Sequence, residues 1–317
     1  MISKNHRSFI CGIKGKFLSK NEKQFLKKYR PWGIILFSRN IDSIKQTQIL
    51  TESIRNIFKN KNYPIIIDEE GGRVTRLKKF IDNSLFSADY FGKLYKNNNK
   101  KFHIYYEVYV KQISYLLKLL GININSVPVL DIRRNNSHNI VGDRSFGYNS
   151  KTISTIGNIC IEKFHKNKIA TIIKHIPGHG LAKSDSHKKL PIINVNYNYL
   201  MKNDFITFKQ KRSLLAMTGH ILFKKIDKIN PVTHSKKIVS IIRNKLGFND
   251  IIITDDLSMK ALKNPLSENV KKSFIAGCNL ALHCNGNLNE MLIVAKNSPK
   301  IDKFILKKTS QLLEIIS

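Results

Sequence analysis

Short apolar runs bounded by polar residues recur along the whole chain. They are continuous rather than alternating, and most are rich in isoleucine and valine, which is typical of strands buried on both faces. The runs are SFICGI (8–13), GIILF (33–37), PIIID (64–68), ININSVPVLDI (122–132), IATIIKH (169–175), LLAMTGH (214–220), DIIITDD (250–256) and CNLALHC (278–284). We therefore predict eight buried strands.

The intervals between these runs carry apolar residues at helical spacing. The helical patterns are NEKQFLKKY (21–29), IKQTQILTESIRNIF (44–58), EVYVKQISYLLKLLG (107–121), ISTIGNICIEKFHK (153–166) and SKKIVSIIRNKLGF (235–248). In the last pattern, Gly247 stands where a helix C-terminal cap is expected. The asparagine and lysine patch NNNKK (97–101) is expected to be an exposed loop.

Strands that alternate with helices over 317 residues predict an α/β fold, a single (β/α)8 TIM-type barrel that forms one domain, 1–317. An open doubly wound sheet is the alternative. The glycine-rich turn that such a sheet carries after its first strand is represented only by a weak GIKG. The barrel is therefore the favoured interpretation.

Polar or charged residues end five of the eight predicted strands. In a barrel such residues project at the carboxyl-terminal rim, where barrel active sites lie. One polar strand end means little, because every strand must end somewhere, but five of eight predict a site at this rim. The residues are Asp68, Asp131, Lys174 with His175, His220, and Asp255 with Asp256.

The segment after the fifth strand reads KHIPGHGLAKSDSH (174–187) and contains three histidines. His175 and His179 have the spacing of a helical zinc pair, but Pro177 and Gly178 between them disfavour a helix. We therefore expect no metal here. The PGHG sequence does not match the glycine spacing of a phosphate loop either.

The DSH triplet in the same segment favours a catalytic pair. Residues two apart in a loop can point to one side, so Asp185 can orient the imidazole of His187. A carboxylate-oriented imidazole is a suitable general acid/base near neutral pH. The alternative is a polar turn, since DxH triplets also occur by chance.

Asp255 and Asp256 end the buried strand IIITDD. One carboxylate could act as a nucleophile while its neighbour bonds backbone amides. The segment DDLSMKAL is also a credible helix start, with Asp256 as its N-terminal cap. Both interpretations can hold together, with Asp255 directed inward and Asp256 at the cap.

The charge balance is strongly basic, with 55 lysines and arginines against 22 acidic residues and a formal net charge of +33. Such a charge attracts nucleic acid or anionic membrane non-specifically. The lysines are spread along the whole chain and accompany many asparagines and isoleucines, without a basic arm or stripe. Compositional drift is therefore favoured over selected polyanion binding, and we expect no specific nucleic-acid partner.

Several features favour a reducing cytoplasm. No apolar stretch approaches the roughly 20 residues that span a bilayer, and the N-terminal segment lacks the pattern of a secretory signal. The four cysteines are scattered and form no CxxC pair. We expect a cytoplasmic monomer without a membrane span and without a cofactor. The cysteines are Cys11, Cys160, Cys278 and Cys284.

Together these residues resemble the glycoside hydrolase family 3 β-N-acetylhexosaminidases, in particular the bacterial cytoplasmic cell-wall recycling type. The similar segments run in family order and cover most of the chain, and KHIPGHG followed by DSH is the most specific. The segments are GIILFSRN (33–40), IDEEGGRVTRL (67–77), PVLDI (128–132), GDRSFG (142–147), KHIPGHG (174–180), DSH (185–187), DKINPVTHS (227–235), LGFNDIIITDDLSM (246–259) and AGCNLAL (276–282).

The resemblance implies roles for individual residues. The nucleophile of the family matches Asp255, and its acid/base pair matches His187 oriented by Asp185. Asp131 and His220 are assigned only supporting positions. The residues that match the sugar-binding set of the family are Asp68, Arg76, Arg144, Lys174 and His175.

Departures from the family pattern are mild. Ile176 stands where the family usually has an aromatic residue, and Thr254 where it often has serine. The chain also ends soon after the eighth predicted strand, without the second domain of larger family members. None of these differences touches the implied chemistry.

The implied activity is retaining hydrolysis of terminal β-linked N-acetylglucosamine from peptidoglycan fragments, with a covalent glycosyl intermediate on Asp255. Two alternatives remain open. A neutral imidazole repels phosphate less than a carboxylate does, so a β-N-acetylglucosaminide phosphorylase is possible. The high positive charge allows a degenerate barrel that binds polyanions.

Overall fold

The computed structural model describes residues 2–135, 138–186 and 188–317. Over this part of the chain, eight parallel strands form a barrel: β1 (Arg7–Gly12), β2 (Pro31–Leu36), β3 (Ile65–Ile67), β4 (Ile124–Asn125), β5 (Ala170–Ile176), β7 (Leu215–Thr218), β9 (Ile251–Asp256) and β10 (Leu280–His283). The barrel closes in the order β1-β10-β9-β7-β5-β4-β3-β2. Each overlaps one of the eight predicted runs, which confirms the (β/α)8 fold.

Helices surround the barrel, and several start at the small polar residues that cap helices well. Ser19, for example, forms a capping box with Glu22. The helices are α1 (Lys20–Tyr29), α2 (Ile44–Phe58), α3 (Ala88–Asn97), α4 (Asn99–Leu119), α5 (Ser150–Lys166), α6 (Tyr197–Asn203), α7 (Lys236–Asn244), α8 (Leu266–Ala276), α9 (Leu288–Asn297) and α10 (Lys303–Ile316).

Four short 3-10 helices lie in the connections of the described chain: Ser38–Asn40, Gly142–Arg144, Phe205–Phe208 and Val232–His234. All five predicted helices are present. The expectation of a loop at NNNKK is wrong, because α3 ends and α4 begins within it, and the Asn98 side chain caps α4 by accepting a hydrogen bond from the Lys101 amide. Helix α7 ends before Gly247, which has a φ of +70° in the following turn.

The barrel strands are held in register by isoleucine pairs. Ile34 lies opposite Ile65, and Ile66 lies opposite Ile124. The strand interiors are buried, and the side chains of their isoleucines form the core with the inner faces of the helices. Burying such a side chain contributes about 1.5–3 kcal/mol, so the barrel fixes the strand ends on which a rim site depends.

A second, two-stranded sheet lies outside the barrel and was not predicted. Strand β6 (Ile192–Ile193) pairs in parallel with β8 (Leu222–Phe223). The amide of Leu222 also donates to the carbonyl of Pro191. This pairing ties the far end of the DSH segment to the connection that follows β7.

The chain after β9 corrects one prediction. No helix begins at Asp256; the residues that follow form turns, and α8 starts only at Leu266. The carboxylate of Asp256 instead accepts hydrogen bonds from the amide and hydroxyl of Ser258, at 3.0 and 2.8 Å. This local turn gives Asp256 the amide partner that a helix start would have offered.

In the described part of the chain, no helix is long and apolar enough to cross a membrane.

Candidate active site

A pocket of about 420 Å³ opens at the carboxyl-terminal ends of the barrel strands. This is the rim at which the polar strand ends were predicted to meet. Residues from the ends of β3, β5, β7, β9 and β10 and from the adjoining loops line it. They include Phe37, Arg39, Asp68, Glu70, Arg73, Arg76, Arg144, Lys174, His175, His179, Ser186, Met217, Asp255, Asp256, Cys284 and Asn285.

Six of the eight predicted site residues line this pocket: Asp68, Arg76, Arg144, Lys174, His175 and Asp255. Asp185 lies on the segment that leaves β5, and its neighbour Ser186 is buried against the pocket. His187 lies outside the described residues, so its predicted pairing with Asp185 stays a prediction.

The chain reverses immediately after β3 and so brings Arg76 back to the strand end. Gly71 has a φ of +81°, and a Cβ there would lie 2.3 Å from the carbonyl oxygen of Phe86, so only glycine fits this turn. The buried carboxylate of Glu69 then accepts hydrogen bonds from the amide of Arg76 at 2.6 Å and from the hydroxyl of Thr75 at 2.7 Å. Burial raises the pKa of Glu69, and these bonds oppose that rise.

Lys174 is the central cation of the pocket, and its ammonium is almost fully buried. Its Nζ donates to Asp68 Oδ1 at 2.9 Å and to Ser126 Oγ at 3.0 Å, and it lies 2.6 Å from Glu70 Oε1. An ammonium has three N–H groups, and the three acceptors just named occupy all of them. A sugar hydroxyl that accepts from Lys174 must therefore replace one of them.

Glu70 pairs with two buried cations of the pocket, Arg144 and Lys174. Its carboxylate accepts from Arg144 in a bidentate arrangement, at 2.8 and 2.9 Å, and also pairs with Lys174. Burial disfavours the charged carboxylate, but the charges of Arg144 and Lys174 outweigh it and hold the pKa of Glu70 far below its usual range. The same pairing raises the pKa of Arg144 against the effect of burial.

Asp68 lies between Lys174 and Arg76. Its Oδ2 is 3.8 Å from a terminal nitrogen of Arg76, a longer contact than the bond to Lys174. Burial alone would raise the pKa of Asp68, yet the nearby Lys174 and Arg76 lower it. Asp68 is therefore held as an anion that accepts hydrogen bonds.

Asp131 holds the ring of His175 in one orientation. The ring Nδ1 of His175 lies 2.6 Å from Asp131 Oδ2, and the amide of His179 donates to Oδ1 at 2.6 Å. Burial opposes the negative charge of Asp131, but these partners still lower its pKa. A proton held on Nδ1 leaves Nε2 of His175 toward the pocket, 3.5 Å from a nitrogen of Arg144.

His179 lies between His175 and the DSH segment. The two rings contact edge to face with centroids 5.5 Å apart, and Nε2 of His179 is 3.4 Å from the hydroxyl of Ser186. Burial and the neighbouring His175 lower the pKa of His179 to about 4. His179 is therefore neutral near pH 7.

The end of β9 places Asp255 and Asp256 together at the pocket. Oδ1 of Asp255 accepts from the amide of Asp256 at 2.8 Å. The carbonyl oxygen of Asp256 lies 2.9 Å from Nε2 of His220, and Nδ1 of His220 lies 2.7 Å from the hydroxyl of Thr233. His220 thus supports the backbone beside Asp255, as its supporting position in the sequence suggested.

The two histidines whose spacing suggested a zinc pair have other partners. Among the residues described, no group of three or more histidine, cysteine, aspartate or glutamate side chains is placed to hold a metal ion. The His175 and His179 rings, whose spacing suggested zinc, face Asp131 and Ser186 instead.

Sequence reasoning missed several residues of the pocket. Glu70 is one of these, and its signal is the EE pair directly before GG, because a buried lysine and arginine need a nearby anion. Phe37 and Arg39 follow β2, and the guanidinium groups of Arg39 and Arg76 lie over the Phe37 ring at 4.7 and 5.6 Å. Arg73 reaches across the rim to the carbonyl oxygens of Asn139 and Ile140.

Comparisons with known proteins agree with the geometry. The model of the glycosyl hydrolase family 3 N-terminal domain matches residues 12–309. A β-hexosaminidase of Actinobacillus pleuropneumoniae serotype 5b is 34% identical over 287 residues, which cover 87% of this chain and 80% of that protein. A β-hexosaminidase of Nitrosomonas eutropha is 30% identical over the same length.

Two solved structures are similar in fold and in sequence. NagZ from Neisseria gonorrhoeae, in complex with N-trifluoroacetyl-D-glucosamine, has a TM-score of 0.84 and 26% identity, covering 98% of this chain and 91% of that one. A family 3 β-N-acetylglucosaminidase from Paenibacillus sp. str. FPU-7 has a TM-score of 0.85 and 26% identity, covering 98% of this chain and 61% of that one.

The barrel, the charged pocket at its rim and these matches define a glycosidase, and the chain belongs to glycoside hydrolase family 3. Within that family it is a β-N-acetylhexosaminidase.

Proposed function

We propose that the protein is a retaining hydrolase that removes terminal β-linked N-acetylglucosamine from peptidoglycan fragments, with Asp255 as the nucleophile. The observation that carries this proposal is the shared pocket: Asp255 at the end of β9 faces the same 420 Å³ space as Asp68, Arg144, Lys174 and His175. A carboxylate on one side and paired charges on the other suit attack on a bound sugar.

The binding half of the proposal concerns hydroxyl and acetamido groups. Anionic Asp68 accepts hydrogen bonds from sugar hydroxyls, while Arg76, Arg144 and Nε2 of His175 complete the set with charge-assisted or directed bonds. The contacts of Glu70 with Arg144 and Lys174 support this assignment, because they fix both cations before a sugar arrives. Lys174 holds Asp68 in place, and it can donate to a sugar hydroxyl when that hydroxyl replaces one of its three present acceptors.

The reactive half concerns bond exchange at the anomeric carbon. Asp255 attacks while His187, oriented by Asp185, donates its proton to the leaving oxygen. Neutral His187 then removes a proton from water, which hydrolyses the glycosyl-enzyme and retains configuration. Support comes from the DSH motif, from family membership, and from Ser186 at the pocket wall.

The finer identity of the substrate rests on the resemblance to cytoplasmic cell-wall recycling enzymes. Muropeptides as substrates, a cytoplasmic location, a monomeric state and a single catalytic domain over 1–317 are all parts of the proposal. The bound N-trifluoroacetyl-D-glucosamine of the Neisseria NagZ structure supports a pocket of this kind for a 2-acylamido sugar.

The test is hydrolysis of an aryl β-N-acetylglucosaminide by the wild type, Asp255→Ala and His187→Ala. We expect Asp255→Ala to lower kcat by about 10⁴-fold or more, because the nucleophile is lost. Asp250→Ala is the matched control: it removes an aspartate at the other end of β9, where Asp250 pairs with Lys308 at 2.6 Å.

Azide sharpens the test, since it can enter the space vacated by the Asp255 carboxylate. Rescue of Asp255→Ala by azide, with formation of an α-glycosyl azide, identifies the nucleophile and the face of attack. Retained activity in Asp255→Ala contradicts the mechanism. If sugar 1-phosphate is the main product in phosphate buffer, the reaction is phosphorolysis and the proposal of hydrolysis is wrong.

A further inference from the structure

A second groove lies beside the active-site pocket on the same rim. It has a volume of about 930 Å³ and is formed by the loops after β1 and β10 and by the first residues of α1 and α9. Asn285 lines both the groove and the pocket. The groove and the pocket therefore adjoin at Asn285.

The two loops that form the groove are fixed against each other. A Cβ at Gly12 would lie 2.2 Å from the carbonyl oxygen of Cys284, and one at Gly286 would lie 2.6 Å from the carbonyl carbon of Ile13. Nε of Arg39 donates to the carbonyl oxygen of Ile13 at 2.9 Å. The groove is thus a built feature of the rim rather than a space between mobile loops.

The side chains in the groove have the chemistry of a sugar-binding surface. Phe17 is 58% exposed although it is a large aromatic residue. Asn21, Asn285 and Lys14 line the same groove. An aromatic ring packs on the C–H face of a pyranose, and amide or ammonium groups take its hydroxyls.

A single exposed phenylalanine is ordinary on a protein surface. Its position distinguishes Phe17, because it lies in a groove that shares the lining residue Asn285 with the pocket of Asp255. A β-linked substrate with its terminal sugar in the pocket must place its second sugar outside the pocket. The groove offers the surface for that sugar.

We infer that this groove is the aglycone subsite: it binds the pyranose ring linked to the terminal N-acetylglucosamine, with Phe17 as the stacking platform. The inference rests on the proposed function, since it assigns the leaving-group side of the same site. It makes the enzyme selective for glycosides whose aglycone is a sugar over those with a small alkyl aglycone.

The experiment compares kcat/KM for N,N′-diacetylchitobiose and for methyl β-N-acetylglucosaminide, whose leaving groups are both alcohols. We expect Phe17→Ala to lower kcat/KM for the disaccharide about 10-fold and to change the value for the methyl glycoside less than about twofold. Tyr115→Ala is the matched control, because Tyr115 is 64% exposed on α4, outside the groove.

A second variant tests the groove by filling it. A Cβ at Gly15 meets only the carbonyl oxygen of Phe17, at 3.9 Å, so Gly15→Leu introduces bulk without a backbone clash. We expect the same selective loss on the disaccharide. Unchanged disaccharide-to-methyl ratios in both variants would overturn the inference.

The two levels of proposal fail separately. An inactive wild type on the aryl glycoside refutes the proposed hydrolysis itself. If the wild type is active but Phe17→Ala and Gly15→Leu leave the disaccharide-to-methyl ratio of kcat/KM unchanged, only the aglycone subsite is refuted.

Discussion

The pocket has two walls built on different principles. The wall at the ends of β3, β4 and β5 is an ionic network in which Glu70 joins Arg144 and Lys174, and Lys174 joins Asp68. The wall at the ends of β7 and β9 is held by a chain of hydrogen bonds, in which the hydroxyl of Thr233 contacts His220 and His220 contacts the carbonyl oxygen of Asp256.

The difference teaches how one rim serves two tasks. Paired charges hold side chains as ions in one geometry, which suits recognition of a polar ring. Hydrogen bonds to the backbone hold the end of β9 in place and so position the Asp255 carboxylate, which suits a proposed nucleophile that must attack carbon. His179 and Ser186 lie between the walls and connect His175 to the DSH segment.

The largest expected effect comes from breaking the ionic wall with Glu70→Gln. Loss of this buried charge leaves Arg144 and Lys174 without their shared anion, and we expect the free energy of unfolding to fall by about 3–5 kcal/mol. KM for the aryl glycoside should rise as both cations lose their fixed positions. Urea denaturation and steady-state kinetics measure the two effects.

Glu107→Gln is the control for this change. Glu107 also contacts two lysines, Lys111 and Lys163, but on the outer surface of the helices. We expect a loss of about 1 kcal/mol or less there, because solvent screens the pair. Equal losses in the two variants would show that burial of the Glu70 network contributes nothing special.

The next effect concerns pH and the residue between the walls. The pKa of His179 is lowered to about 4, below its unfolded value, so protons bind the unfolded chain more tightly. Its contribution to stability is present above pH 6.5 and is lost as pH falls toward 4, at most about 3 kcal/mol. His179→Gln should therefore flatten the fall in unfolding free energy over this window.

Three other histidines have a pKa lowered to about 4, mainly by burial: His6, His165 and His234. They impose the same trend, so the diagnostic quantity is the difference between wild type and His179→Gln at each pH. His103→Gln, on the exposed face of α4, is the control and should follow the wild type. If the unfolding free energy of His179→Gln falls with pH as steeply as that of the wild type, His179 does not contribute to the pH dependence.

The smallest effect comes from the wall at the ends of β7 and β9. Thr233→Val removes the hydroxyl between His220 and Thr218, and we expect a loss of about 1 kcal/mol in stability. The kcat should fall several-fold with little change in KM, because His220, which contacts the carbonyl beside Asp255, loses the hydroxyl that orients its ring. Thermal unfolding and steady-state kinetics measure these changes.

Thr233→Ser and Thr218→Val sharpen this last result. The serine keeps the hydroxyl and should restore kcat, while Thr218→Val leaves the bond from Thr233 to His220 in place. A rise in KM equal to the fall in kcat would instead place Thr233 with the binding wall and break the distinction between the two.

The sequence alone predicted the barrel and the polar strand ends that line the pocket, because both depend on local pattern. Buried parallel strands require continuous apolar runs, and such strands place their polar ends at one rim whatever the loops do. That argument brought Asp68, Lys174, His175 and Asp255 together before any contact was known. The prediction of a helix after Asp256 was wrong, because the chain forms a turn in which the Ser258 amide donates to the same carboxylate.

Only the tertiary structure decided which charges pair. The sequence shows Glu69 and Glu70 as equivalent neighbours, yet Glu69 turns to the amides of its own loop and Glu70 to Arg144 and Lys174. That choice depends on strands that are distant in sequence and adjacent in the barrel. Periodicity fixes which face of an element is buried, whereas the partner across a pocket follows from how the closed sheet brings strand ends together.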